Sequence, residues 1–70
     1  MKQLTLRELE IAVLVAQGLS NKEIAQRLCV SQFTVRMQVI STLRKLGLKN
    51  RIQLAFWLGQ RQRQHEGLVA

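Results

Sequence analysis

Two closely spaced helix starts constrain the fold of this chain more than any other feature of its sequence. Ser20 and Ser31 each precede a helix-forming stretch, and the residues between the two stretches leave room only for a tight turn. Glu23 follows Ser20 at the spacing of a capping box, which marks a helix N-terminus. The second helix is the longer one and has a basic outer face. Two helices joined by a tight turn, with a basic second helix, are suited to placing that helix in the major groove of DNA.

Start and stop signals recur along the chain and predict an all-α fold of four helices. Each predicted helix follows a capping side chain, namely Thr5, Ser20, Ser31 or Asn50. The chain contains no proline that would break a helix. The predicted helices cover residues 6–17, 21–28, 32–46 and 51–62, and a tail follows over residues 63–70.

Helical spacing of apolar residues predicts which face of each helix lies in the core. The predicted core residues are Ile11, Leu14 and Val15 in helix 1, Ile24, Ala25 and Leu28 in helix 2, Val35, Val39, Leu43 and Leu46 in helix 3, and Ile52, Ala55, Phe56 and Leu58 or Gly59 in helix 4. Leu6, Leu9 and Val13 form a second apolar face on helix 1. That face is either a docking surface or a set of tolerated surface residues.

The charge distribution favours a polyanionic partner. Eleven Lys and Arg against four Asp and Glu give a formal net charge of +7, and no acidic residue lies between Ile24 and His65. A folded domain with such a one-sided field attracts polyanions. The alternative is a cationic surface kept for solubility, but such surfaces usually mix both signs.

Composition excludes several classes of protein. Seventy residues suffice for a single domain, predicted to span residues 1–70, and one cysteine allows no internal disulfide, which fits a reducing cytoplasm. No apolar run reaches the roughly 18 residues of a membrane span. The sequence contains no nucleophile–base constellation, no cluster of metal ligands and no glycine-rich phosphate loop. We therefore expect no enzyme, no metal site and no cofactor.

Cys29, between helices 2 and 3, is expected to be a small buried residue rather than a redox switch.

The face of helix 3 opposite its core stripe is the predicted base-reading surface. The predicted base contacts are Arg36, Met37, Ile40 and Phe33. Arg36 is the main candidate, because the planar guanidinium matches the O6 and N7 atoms of guanine. Met37 and Ile40 either pack on the C5-methyl of thymine or are scattered surface apolar residues.

Phosphate contacts are predicted around this face, from the start of helix 2, the first turn of helix 3 and the junction between helices 3 and 4. Helix N-termini offer free backbone N–H groups to anions, and Lys and Arg add charge. The predicted residues are Ser20, Asn21, Lys22, Thr34, Arg44, Lys45, Lys49 and Arg51.

One motif extends over residues 3 to about 59. Its residues are Leu4, Thr5, Glu8, Glu10, Ala16, Gly18, Ser20, Asn21, Lys22, Glu23, Ile24, Ala25, Leu28, Ser31, Thr34, Val35, Lys45, Leu46, Gly47, Asn50 and Arg51. This pattern resembles the LuxR/GerE-type helix-turn-helix domain, the DNA-binding module of quorum-sensing regulators and of many two-component response regulators. The resemblance implies four helices with helix 3 in the major groove, and dimerisation through helix 4 on inverted-repeat half-sites. It also implies DNA contacts from Lys22, Thr34, Arg36, Met37, Lys45 and Arg51.

Helix 4 supplies the predicted dimer interface, and helix 3 departs from the family pattern. The predicted interface residues are Leu54, Trp57, Leu58 and Arg61. Trp57 could equally lie at the edge of the core. Gln38 stands where a histidine is common, Ile40 where a polar or basic residue is usual, and Thr42 where a core isoleucine is common. A buried Thr42 hydroxyl would need a partner, such as the carbonyl one turn back.

These observations predict a cytoplasmic, bacterial, sequence-specific regulator of transcription that binds double-stranded DNA as a dimer. Its expected partners are DNA, a second copy, and either another domain or RNA polymerase. The chain resembles a stand-alone regulator of the GerE type or the C-terminal part of a longer LuxR-family protein. Two alternatives remain, namely a protein-interaction module or anti-regulator with the same fold, and a promoter-reading region of a sigma factor.

Overall fold

Four helices, each begun by a polar capping residue, make up the computed structural model of the protein. It describes the backbone of residues 3–69 and the side chains of residues 3–61. The helices are α1 (Leu6–Ala16), α2 (Asn21–Leu28), α3 (Gln32–Leu46) and α4 (Arg51–Val69). No strand occurs within the described backbone. The predicted all-α, four-helix fold is confirmed.

Side-chain caps define where the helices begin. Thr5 Oγ1 accepts the Glu8 N–H at 3.1 Å, and Glu8 Oε1 accepts the Thr5 N–H at 2.9 Å, which completes a capping box. Ser20 and Glu23 repeat this arrangement at the start of α2. Asn50 Oδ1 accepts the Gln53 N–H at 2.9 Å at the start of α4. Because these contacts are local, the sequence predicts the helix starts well.

The core lies where α1 packs against the other three helices. Its buried residues are Ile11, Ala12, Leu14, Val15, Ile24, Ala25, Val35, Val39 and Leu54. The predicted core faces of helices 1–3 are confirmed, with Leu28, Leu43 and Leu46 partly buried against this cluster. Thr42 is fully buried, and its hydroxyl donates to the Gln38 carbonyl at 2.7 Å. The expected partner one turn back therefore satisfies that hydroxyl.

The predicted core face of helix 4 is wrong at Ile52 and Phe56 and right at Leu58. Ile52 and Phe56 are 77% and 67% exposed, whereas Leu54 is fully buried and Leu58 is 6% exposed. Residues 52–58 are apolar except for Gln53. Periodicity cannot select one face of such a helix, so the packing against α1 decides which residues are buried. Leu54 and Leu58, predicted as dimer contacts, are instead core residues that a partner cannot reach.

Helix α4 is also longer than predicted. It continues to Val69, so residues 63–69 of the predicted tail are helical, and Ala70 lies outside the described residues. Gln and Arg fill positions 60–64, and these straight-chain residues favour a helix. Within the described residues, no helix is long and apolar enough to cross a membrane.

The reversed assignment of α4 predicts opposite outcomes for two substitutions. Leu54→Ala should lower the free energy of unfolding by about 2–5 kcal/mol, because it leaves a cavity in the core. Phe56→Ala should change it by about 0.5 kcal/mol or less, because that ring is mostly exposed. Urea denaturation at protein concentrations low enough to keep the chain monomeric checks both values. Equal losses, or a larger loss for Phe56→Ala, would contradict this assignment.

Candidate nucleic-acid interface

The turn between α2 and α3 sets the angle at which α3 is presented. Cys29 ends α2 in the left-handed conformation, with a φ of 59°. The N–H of Val30 donates to the Ala25 carbonyl at 3.0 Å and closes the turn. Ser31 Oγ then accepts the Thr34 N–H at 3.0 Å and begins α3. Cys29 is exposed, not buried as expected.

The predicted base-reading residues share one outer face of α3. Phe33, Arg36 and Met37 are exposed, and Ile40 is half-buried further along the same face. Arg44 is exposed one turn beyond Ile40. The Oε1 atom of Gln38 is buried and has no hydrogen-bond partner among the described residues. Arg36 is the one charged side chain in the first half of α3.

A buried carboxylate joins α1 to α3. Ser41 Oγ donates to Glu8 Oε2 at 2.8 Å, and Lys45 Nζ lies 2.7 Å from Glu8 Oε1. Ser41 and Lys45 lie one turn apart on α3, so Glu8 holds that helix at two successive points. The same carboxylate completes the capping box with Thr5 at the start of α1. Glu8 thus fixes the position of α3 relative to α1.

Hydrogen bonding stabilises the charged form of Glu8. Burial alone would raise the pKa of this carboxyl, but hydrogen bonds from Lys45, the Thr5 backbone and Ser41, with the charge of Lys45, outweigh it. They lower the pKa of Glu8 from 4.5 to about 2. A pKa lowered by folding means that the ionised carboxylate stabilises the fold.

The contact with Glu8 adds to the role predicted for Lys45. Its ammonium is bound by an internal carboxylate, and its side chain is only 25% exposed. Lys45, predicted as a phosphate contact, thus also links α3 to α1. Sequence reasoning missed the α1–α3 contact because 37 residues separate its partners, and no local pattern connects them. In the sequence, Glu8 stands out only as one residue of the family motif.

Arg51 and Asn21 bind each other in the structure. Arg51 Nη1 donates to Asn21 Oδ1 at 2.7 Å, and Arg51 Nη2 donates to the Leu19 carbonyl at 2.8 Å. These contacts join the first residue of α4 to the start of α2. Arg51 is half-buried, and its guanidinium links α4 to the start of α2. Both residues were predicted as phosphate contacts, and in the structure they also contact each other.

The remaining predicted phosphate contacts have exposed or half-buried side chains. Lys22, Arg44 and Lys49 are exposed, and Ser20 is exposed at the N-terminus of α2. Thr34 is half-buried, and its hydroxyl lies 3.0 Å from that of Ser31. Exposed cationic groups therefore occur at the start of α2, on α3 and beyond the end of α3.

Comparison with known proteins places this arrangement in a family. Residues 2–58 match the family described as bacterial regulatory proteins, luxR family. The chain belongs to the luxR family of bacterial regulatory proteins. It carries the DNA-binding helix-turn-helix domain of that family, in which α2 and α3 are the two helices of the motif.

Individual luxR-family relatives agree in sequence and in structure. The nitrate/nitrite response regulator protein NarL of Escherichia coli is 48% identical over 58 residues, which are 83% of this chain and 27% of NarL. The oxygen regulatory protein NreC of Staphylococcus aureus is 49% identical over 53 residues, covering 76% of this chain and 24% of NreC. A solved structure of RcsB aligns with this chain with a TM-score of 0.80 and 37% identity. RcsB is a response regulator of Salmonella typhimurium whose description refers to conformational dynamism for DNA interaction. That alignment covers 84% of this chain and 29% of RcsB. The chain thus spans about a quarter of the length of these relatives.

The Glu8 contacts predict a defined response to substitution and to acid. Glu8→Gln should lower the free energy of unfolding at pH 7 by about 2 kcal/mol, because it leaves the Lys45 ammonium without its counter-charge. Because folding lowers the pKa of Glu8, its contribution is present above pH 4.5 and is lost as the pH falls towards about 2. The variant should therefore lose stability less steeply over that range. Denaturation followed by circular dichroism at several pH values measures both effects.

Glu10→Gln is the matched control for this prediction. Glu10 lies on the same helix, and its carboxylate forms only an exposed ion pair with Arg7, at 3.7 Å. Such pairs contribute little to stability. An unchanged acid profile for Glu8→Gln, or an equal loss for Glu10→Gln, would refute the assignment to Glu8.

Proposed function

We propose that this protein is a sequence-specific regulator of transcription that binds double-stranded DNA in the bacterial cytoplasm. The observation that carries the proposal is the exposed outer face of α3, which presents Arg36 within a luxR-family helix-turn-helix. Helix α3 enters the major groove, and the Arg36 guanidinium donates to the O6 and N7 atoms of a guanine. The relatives NarL and NreC are named as regulators, which agrees with this proposal.

Phosphate contacts position α3 in the groove. Ser20 and Lys22 at the start of α2 bind the backbone on one side, and Arg44 and Lys49 bind it on the other. In a dimer, Lys22, Arg44 and Lys49 of the two copies give about six cationic contacts, which would reduce the binding constant roughly 10³-fold between 50 and 200 mM salt. Lys45 is bound by Glu8, so its contribution to binding is indirect, through the orientation of α3.

A second copy of the chain binds the exposed apolar face of α4 in this proposal. Ile52 and Phe56 lie one turn apart on that face, and Phe56 lines a shallow groove with Ala55, Gly59 and Gln60. This face takes the place of the predicted interface residues Leu54 and Leu58, which are buried in the monomer. Trp57 and Arg61, whose guanidinium carbon lies 5.0 Å from the ring centroid, remain at the edge of the interface. A two-fold axis at α4 would place two copies of α3 on an inverted repeat.

The outer face of α1 supplies a surface for a further partner. Leu6 is 82% exposed and Leu9 is 40% exposed, and Val13 is half-buried beside them. Because the chain spans only about a quarter of its relatives, another domain is the partner proposed for this face, with RNA polymerase as the alternative. A protein-interaction module without DNA binding would use the same surface.

Selection from random duplexes tests the proposed function. The protein should enrich a common sequence motif, and Arg36→Ala should weaken binding by roughly 1–3 kcal/mol and relax preference at one base pair. Lys22→Ala is the matched control, because loss of a phosphate contact weakens binding evenly and reduces the salt slope by about 1. Failure to enrich any motif would reject sequence-specific DNA binding. Unchanged base preference for Arg36→Ala would reject only the role of Arg36.

The proposed dimer interface predicts the effect of placing a charge on α4. Phe56→Glu should abolish self-association in analytical ultracentrifugation, because a carboxylate would be buried between the two copies. Binding to a duplex with two half-sites should weaken, while binding to a single half-site should not change. Leu6→Glu on α1 is the control with similar exposure. Loss of self-association in Leu6→Glu, but not in Phe56→Glu, would move the interface to α1.

A further inference from the structure

We propose that Phe33, Met37 and Ile40 form an apolar stripe that recognises the C5-methyl groups of thymine. This inference rests on the proposed function, since it requires α3 to lie in the major groove. It identifies the class of DNA site, namely half-sites with thymines next to the guanine read by Arg36. It also assigns the selectivity for these thymines to three side chains that form no hydrogen bonds to bases.

The stripe follows from the helical positions of its members. Residues 33, 37 and 40 are spaced i, i+4 and i+7, so they lie on one face of α3 over two turns. Seven residues of α-helix rise by about 10 Å. Base pairs are stacked about 3.4 Å apart, so the stripe spans roughly three successive base pairs.

The exposure of the stripe indicates that it is completed by a partner. Phe33 is 70% exposed and Met37 is 47% exposed, although both are large and apolar. Val35 and Val39 hold α3 against the core from its opposite side. Phe33 and Met37 therefore contribute little to the packing of the monomer, with Ile40 half-buried at the end of the stripe, and exposed apolar surface of this kind marks an interaction site.

The charges around the stripe favour DNA as that partner. Arg36 and Arg44 are exposed on the same face, and α3 contains no acidic residue. A second copy of this face would bring like charges together, whereas the major groove is lined by phosphates. Among the major-groove edges of the four bases, the thymine methyl is the one apolar group. An apolar stripe between two arginines thus complements a groove that contains thymine methyls.

Deoxyuridine substitution tests the inference, because it removes only the methyl group. The probe is the duplex enriched most strongly from the random pool, prepared with thymine or deoxyuridine at each position and measured at a fixed salt concentration. Each contacted methyl should contribute about a fourfold difference in Kd, the equivalent of one buried methylene. The sensitive positions should fall within three successive base pairs beside the guanine read by Arg36.

Variants connect this effect to the stripe through double-mutant cycles. Met37→Ala and Ile40→Ala should each abolish the difference between thymine and deoxyuridine at one position. Leu6→Ala, which removes an exposed apolar side chain from α1, should leave every difference intact. Because the stripe lies outside the core, these variants should retain the helical circular dichroism of the parent chain.

The outcomes separate this inference from the proposed function. Enrichment of a motif that contains no thymine, or one whose deoxyuridine duplexes bind equally well, would overturn the thymine reading and leave DNA binding intact. A methyl effect that persists in both stripe variants would overturn the assignment to these side chains. Failure to enrich any motif would overturn the inference and the proposed function together.

Discussion

The carboxylate of Glu8 is the interaction on which the presentation of α3 depends. It caps α1, accepts a hydrogen bond from Ser41 and pairs with Lys45 one turn further along α3. Apolar packing against α1 is not directional and would tolerate small rotations of α3. Charged hydrogen bonds at two points restrict such rotations, because their geometry is specific. A helix that reads base edges requires this kind of restriction, since small displacements would break its contacts.

A second internal tie complements the first. Arg51 joins the start of α4 to the start of α2 through Asn21 and the Leu19 carbonyl. The apolar core and these two polar contacts together fix α2, α3 and α4 relative to α1. Two basic residues of the family motif, Lys45 and Arg51, thus make contacts within the domain. The freely exposed basic surface is consequently smaller than the number of basic residues suggests.

Local features were predictable from the sequence, and long-range contacts were not. The capping side chains and the core faces of helices 1–3 follow from patterns within a few residues, and the structure confirms them. The buried face of α4 was not predictable, because its nearly continuous apolar segment fits more than one orientation. The pairing of Glu8 with Lys45 connects residues that no local rule relates. The outer face of α3 was predictable, since its residues are the ones that the core stripe leaves outside.

The stacking of Arg61 on Trp57 gives the protein an intrinsic fluorescent reporter on α4. Trp57 is the sole tryptophan of the chain, and its ring is half-buried beside Phe56 on α4. Its emission senses the polarity and the nearby charge at α4. No second indole contributes to the signal. Spectra recorded during titration with a partner would follow events at α4 without any label. Association at α4 could then be observed in an unmodified sample.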